Sequence, residues 1–94
     1  TFPGGPAALM KYLADNVKYP DDAQKNGMQG RVVVSFVVEC DGSISNVKTV
    51  QSVYPSLDSE AVRVVEAMPH WIPGTENGIP TRVRYSVPVS FRLQ

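Results

Sequence analysis

Apolar and polar residues alternate without interruption along the last part of the chain, from residue 81 to residue 93. Period-two alternation predicts a strand with one buried and one solvated face. Pro88 falls in the middle of this stretch, and proline has no N–H to give to a neighbouring strand. We therefore expect the strand to lie at an edge of its sheet, with the nitrogen of Pro88 directed away from the sheet partner.

Two earlier strands are predicted on either side of Asp41-Gly42. Residues 29–40 carry valines and a phenylalanine on one face and are partly apolar on the other, which favours a central position in the sheet. Asp-Gly is typical of a two-residue hairpin turn with positive φ at both positions. In the returning strand, residues 43–52, Ile44 and Val47 are three apart, so we expect a β-bulge near residues 45 and 46.

Helical spacing of apolar residues predicts helices over residues 6–17 and 57–68. Pro6 suits a first helical position, and Ser56 is expected to cap the second helix. Residues 21–25 predict a short turn capped by Asp21, and residues 75–80 a turn-rich loop. Trp71, between two prolines, is expected to be a core residue. The element order predicts an α+β domain, with two main helices on one face of a three-stranded antiparallel sheet.

Composition excludes several classes of function. Nine basic residues balance nine acidic ones, so net charge gives no reason to expect nucleic acid as a partner. One cysteine cannot form an intramolecular disulfide, and one histidine leaves almost no ligands for a metal. No spacing of nucleophile, base and acid suggests catalysis, so we expect neither an enzyme nor a cofactor. No apolar run approaches the roughly 20 residues that cross a bilayer, and we expect no signal peptide within these residues.

The edge strand has two interpretations that sequence physics does not separate. Arg82, Arg84 and Arg92 on its solvated face, with Pro88, could simply protect an open edge from aggregation. Alternatively, residues ahead of Pro88 could accept a visiting strand, and Pro88 would limit its length.

The chain contains an ordered set of motifs, which includes Tyr-Pro at 19–20, Gly-Met-Gln-Gly-Arg at 27–31, Asp-Gly-Ser-Ile at 41–44, Met-Pro-His-Trp-Ile-Pro-Gly at 68–74 and Val-Pro-Val-Ser-Phe at 87–91. This set resembles the TonB C-terminal domain family. The similarity runs through residues 19–94. We expect a single domain over residues 1–94, in which residues 1–18 resemble the extension found in a subset of TonB-like proteins.

The resemblance implies a non-enzymatic periplasmic domain of a protein anchored in the inner membrane of a Gram-negative bacterium. In the family, a receptor segment called the TonB box adds as a strand beside the last strand. The parent protein works with a proton-driven inner-membrane motor and supports import of siderophores, cobalamin or glycans by outer-membrane receptors. Transferred by position, the partner-binding residues are Thr81, Arg82, Val83, Arg84, Tyr85, Ser86, Val87, Tyr19 and Pro20.

Two departures from the family pattern accompany this transfer. Val17-Lys18 replace the Gln-Pro that precedes Tyr-Pro in well-known members, and those members lack a proline like Pro88. Two alternatives stay open: a homodimer formed by pairing the same edge with its twin, and a sensor domain of a regulatory membrane protein.

Overall fold

The computed structural model describes residues 2–93 and has an α+β architecture, as predicted. Its elements are α1 (Gly5–Asn16), α2 (Asp21–Lys25), β1 (Gly30–Val38), β2 (Ile44–Gln51), α3 (Pro55–Glu66), β3 (Gly74–Glu76), β4 (Ile79–Thr81) and β5 (Val83–Phe91). Strands β2, β1 and β5 form a three-stranded antiparallel sheet in that order, and β3 pairs with β4 in a separate hairpin. No helix within residues 2–93 is both long enough and apolar enough to cross a membrane.

One face of the sheet builds the hydrophobic core together with the helices. The alternate residues of β1 that point to this face are fully buried: Val32, Val34, Phe36 and Val38. The inward stripe of α3 packs onto them, and its buried members are Leu57, Ala61, Val64 and Val65. β5 contributes Val87, Val89 and Phe91. Full burial of such side chains stabilises the fold by about 1.5–3 kcal/mol each. The apolar stripes seen in the sequence therefore become a single core.

The loop between β1 and β2 differs from the predicted two-residue turn. The Glu39 carbonyl accepts from the Gly42 amide at 2.9 Å, and the Glu39 amide donates to Ser43 at 2.8 Å. Only Gly42 has positive φ, at 87°. The loop therefore has three residues with a left-handed third one, and the prediction of positive φ at Asp41 was wrong. Asp41 instead accepts from the Ser43 amide and hydroxyl, and these hydrogen bonds lower the pKa of its carboxyl group.

β2 carries the predicted bulge and one more. Ser35 pairs with Lys48 while Val37 pairs with Ser45, so β2 contains an extra residue here, where Asn46 adopts a φ of 51°. A second register shift follows beside Val33. The apolar spacing in the sequence indicated only the first bulge.

The helix starts differ from those predicted. α3 begins at Pro55, with Tyr54 as its N-cap residue and no side-chain cap, so Ser56 is not the cap. Proline at the first helical position explains the earlier start, because its missing N–H has no partner to lose there. Asp58 reaches back from the first turn and accepts from the Val53 amide at 3.1 Å. α2 likewise begins after Pro20 without a side-chain cap, so Asp21 does not act as one.

Residues 75–80 are not a loop but most of the β3–β4 hairpin. Asn77 and Gly78 have φ of 53° and 79°, the pair of positive values that a two-residue type I′ turn requires. Thr75 pairs with Pro80, which can stand there because this two-stranded ribbon has free edges.

The segment before α2 packs onto the core through aromatic contacts. Phe2 lies edge-on to Trp71, with ring centroids 5.7 Å apart, and also contacts Tyr12. Tyr12 donates its hydroxyl to the Val64 carbonyl of α3 at 3.1 Å. Trp71 is 5% exposed and contacts Phe36 edge-on and Tyr85 with tilted rings, which confirms its expected place in the core.

Candidate partner-binding site

β5 occupies an edge of the three-stranded sheet. It pairs with β1 from Gly30–Phe91 to Val38–Val83, and within residues 2–93 no strand pairs with its other side. The edge position inferred from Pro88 is therefore confirmed. β2 forms the opposite edge, but its register is broken by two bulges, whereas the β1–β5 ladder runs without a shift.

The hydrogen-bonding direction of β5 follows from its neighbours. The Arg31 carbonyl accepts from the Gln51 side chain on the β2 side, and the Leu93 amide donates to the Gln29 side chain on the β1 side. In an antiparallel ladder, the N–H and C=O of one residue point to the same side of the strand, and this side alternates from each residue to the next. Odd-numbered residues of β5 therefore bond to β1, and Arg84, Ser86, Pro88 and Ser90 direct their backbone groups outward. Pro88 is tolerated because its position needs no donor to β1.

The residues predicted to bind a partner fall into two separate places. Thr81 ends β4, Arg82 lies between the two strands, and residues 83–87 form the first half of β5. Tyr19 contacts Phe91 edge-on at 5.7 Å between ring centroids and donates to the Met28 carbonyl, while Pro20 precedes α2. Tyr19 and Pro20 therefore lie near the far end of β5, away from residues 81–87.

The outer face of the sheet is lined by cationic side chains. Arg84 donates to the Ser35 hydroxyl at 3.1 Å, and Arg82 forms a salt bridge with Glu39 at 2.6 Å. Hydrogen bonds to Glu39, first from the Ser45 hydroxyl and then from Arg82, hold the pKa of that carboxyl group below its usual range. Arg82 is thus partly neutralised, whereas Arg84 is paired with a neutral group and stays exposed.

An apolar slot adjoins the first half of β5 on the opposite face. It has a volume of about 190 Å³. Its walls are Phe2, Pro6, Leu9, Trp71, Tyr85 and Val87, with Ser86 at the strand. We call it the edge slot. It was not predicted from the sequence, because residues 2–9 meet β5 only in the folded chain. The signal available in the sequence was Phe2, an apolar residue placed just before the first predicted helix.

Within residues 2–93, no three histidine, cysteine, aspartate or glutamate side chains come together in a group that could hold a metal ion. His70 follows α3 in an exposed position, and Cys40 is exposed beside the hairpin loop. Fold and edge together define a small two-layer α+β domain with exposed backbone groups suited to strand pairing.

Comparison with known proteins identifies the family. Residues 15–93 match the family described as the Gram-negative bacterial TonB protein C-terminal. The chain is 31% identical over 83 residues to protein TonB of Helicobacter pylori strain 26695 and 30% identical to that of strain J99. It therefore belongs to the family of TonB C-terminal domains. The match covers 87% of this chain but spans only 28% of the length of those relatives.

Solved structures agree with the family assignment. The fold is similar to the solution NMR structure of the Helicobacter pylori TonB C-terminal domain, with a TM-score of 0.71 and 25% sequence identity. This similarity covers 92% of the present chain and 90% of the solved one. A second solution structure of that domain gives the same TM-score over 90% of this chain and 77% of the solved one.

Proposed function

We propose that this chain is the periplasmic, receptor-binding domain of a TonB-type energy transducer and has no enzymatic activity of its own. An extended segment of an outer-membrane receptor adds as a strand to the outer edge of β5. The rest of the parent protein, anchored in the inner membrane, connects this contact to a proton-driven motor. Pulling on the receptor supports import of siderophores, cobalamin or glycans.

The observation that carries the proposal is the outward direction of the backbone groups of Arg84 and Ser86 on an edge strand. Each residue offers one N–H and one C=O, and the carbonyl of Pro88 adds an acceptor beyond them. Roughly four to six hydrogen bonds, each with a net worth of about 0.5–1.5 kcal/mol, give a weak contact after the cost of association. Such an affinity suits repeated engagement and release. Main-chain pairing supplies the affinity, and neighbouring side chains select the partner.

Substituting Ser86→Pro tests the site, because it removes an outward N–H and leaves the β1 ladder intact. Ser90→Pro is the matched control: it removes the same kind of outward group from the same strand, outside residues 81–87. Receptor N-terminal peptides are titrated while amide chemical shifts are recorded. We expect shifts centred on residues 81–87 in the wild type and in Ser90→Pro, and their loss in Ser86→Pro. Shifts confined to residues far from 81–87, or equal binding by Ser86→Pro, would refute the site.

Self-association through the same edge is the rival function, because an unpaired strand can equally pair with its twin. Sedimentation at micromolar concentration separates the two. A monomer, or a dimer that receptor peptide dissociates, supports receptor binding. A stable dimer that peptide leaves intact supports a structural or regulatory dimer instead.

A further inference from the structure

The two faces of the β5 edge differ in chemistry, and this difference defines the strand that would fit beside it. We propose that the edge selects an extended segment in which apolar and acidic side chains alternate, the apolar ones entering the edge slot and the acidic ones meeting Arg84 and the cations around it. This inference rests on the proposed function and specifies the partner of the same site.

The register of an added strand determines which visitor side chains meet which face. Directly opposite residues of neighbouring strands share a face of the sheet. A residue of the added strand that lies opposite Tyr85 or Val87 therefore points to the face of the sheet that packs against the helices, where the edge slot opens. A visitor residue opposite Arg84 or Ser86 points to the outer face. One strand thus presents its alternate side chains to two different environments.

The edge slot is suited to an apolar side chain. A dry cavity of roughly 150 Å³ holds a benzene ring, so the slot's volume of about 190 Å³ accommodates one side chain of the size of leucine or phenylalanine. Its helix-side wall comes from Phe2, Pro6 and Leu9. These three residues precede the part of the chain that matches the family, residues 15–93. The proposal therefore gives the N-terminal extension a role in partner selection.

The outer face of the sheet is positively charged, although the chain as a whole is neutral. Five of the nine cationic residues belong to this face: Arg31, Lys48, Arg82, Arg84 and Arg92. Among the acidic residues only Glu39 lies there, in its pair with Arg82. Within residues 2–93, the other four cations form no salt bridge, while six of the acidic residues lie on α1, α2 and α3. An acidic side chain beside Arg84 is therefore attracted to this face, whereas a basic one would be repelled.

Four capped octapeptides test the pattern: alternating valine and glutamate, alternating valine and lysine, alternating serine and glutamate, and a block of four valines followed by four glutamates. We expect the valine–glutamate alternation to bind about tenfold tighter than each of the others, since only it satisfies both faces. Its affinity is expected to fall as salt is raised from 50 to 500 mM. Ser86→Pro should abolish its binding.

Two variants separate the contributions of the faces. Leu9→Ser is expected to weaken the valine–glutamate peptide about fivefold and leave the serine–glutamate peptide unchanged. Its control is Met10→Ser, on the same helix but exposed away from the slot. Arg84→Gln is expected to weaken the valine–glutamate peptide about fivefold and reduce its salt dependence. Arg92→Gln, on the same strand side but beyond residues 81–87, is the matched control.

The outcomes distinguish this inference from the proposed function. If all four peptides bind equally and Ser86→Pro removes that binding, strand addition stands and the selective pattern is refuted. Equal binding of the block and alternating acidic peptides, insensitive to Ser86→Pro, would mean that the face merely attracts polyanions. If receptor N-terminal peptides also fail to bind the wild type, the proposed function itself is wrong.

Discussion

The backbone N–H of Trp71 donates to the carbonyl oxygen of Gly42 across 2.8 Å. This hydrogen bond joins the corner after α3 to the loop between β1 and β2. A Cβ atom on Gly42 would lie only 2.2 Å from the Trp71 carbonyl oxygen, so the two backbones touch. Trp71 in turn contacts Phe2, Phe36 and Tyr85. The loop therefore helps to position the indole that forms one wall of the edge slot.

Gly42→Ala is expected to destabilise the domain by about 2–4 kcal/mol. The methyl group would both strain a positive φ and displace the backbone of Trp71. Urea unfolding measures the change. Gly78→Ala is the matched control, because Gly78 also has positive φ but has open space around its Cβ position; its cost should be about 1 kcal/mol. Equal losses in the two variants would show that the contact with Trp71 is unimportant.

Glu60 connects the N-terminal segment to α3. Its carboxylate, whose side chain is 11% exposed, accepts from the Lys18 amide at 2.6 Å and from the Arg63 guanidinium at 2.7 Å. Arg63 also donates to the Asn16 carbonyl at the end of α1, at 3.0 Å. The hydrogen bonds from Arg63, and after them that from Lys18, hold the pKa of Glu60 below its usual value despite partial burial.

Glu60→Gln is expected to lower the free energy of unfolding by about 1–2 kcal/mol at pH 7, because charge-assisted hydrogen bonds are lost. A carboxyl group with a depressed folded pKa stabilises the fold above its unfolded pKa, near 4.3, and loses that contribution as pH falls through the folded value. The difference between wild type and variant should therefore shrink below about pH 4. Glu66→Gln, exposed on the same helix, should show no such difference. A pH-independent gap for Glu60→Gln would contradict this reasoning.

Asn46 holds the bulge of β2 with a φ of 51°. Glycine adopts this conformation freely and asparagine tolerates it, whereas a β-branched side chain is strained there. We expect Asn46→Gly to be within about 0.5 kcal/mol of the wild type and Asn46→Val to lose about 1–2 kcal/mol. Thermal and urea unfolding of the pair would check this. A stabilising effect of valine would show that the extra residue can be expelled from the strand.

The fold was largely predictable because its main signals are local. The alternation of residues 81–93 and the position of Pro88 identified an edge strand, and the spacing of Ile44 and Val47 located a bulge. The two-residue turn predicted at Asp41-Gly42 was wrong because this dipeptide fits two loop geometries. The three-residue form is favoured here by the carboxylate of Asp41 and by the approach of Trp71, a contact distant in sequence.

The candidate site was only half predictable for the same physical reason. Which backbone groups of β5 point outward follows from alternation and from a proline, and both are visible in the sequence. The edge slot requires Phe2, Pro6 and Leu9 to cross over to β5, and the charge of the outer face requires β1, β2 and β5 to be placed in order. The composition counts the cations of this face together with the acidic residues of the helices, so it indicates a neutral molecule.

Pro88 interrupts the row of outward donors on β5, because it lies between Ser86 and Ser90, the neighbouring residues whose N–H groups point outward. Pro88→Ala would restore one N–H at an outward position without disturbing the β1 ladder. A receptor peptide long enough to reach residue 88 is then expected to bind roughly threefold to tenfold tighter, the worth of one additional backbone hydrogen bond. The same open donor should raise self-association, because a longer uninterrupted edge is a better template for a second copy.

Isothermal titration with a long and a truncated peptide separates this gain from a general effect on stability. The truncated peptide, which ends opposite Ser86, should bind Pro88→Ala and wild type alike. Ser90→Ala is the control for alanine on this face, because residue 90 already has its outward N–H, and neither peptide should gain affinity from it. If both peptides gain equally from Pro88→Ala, the proline acts by straining the strand. Its role as the stop that sets the length of the docking edge would then be refuted.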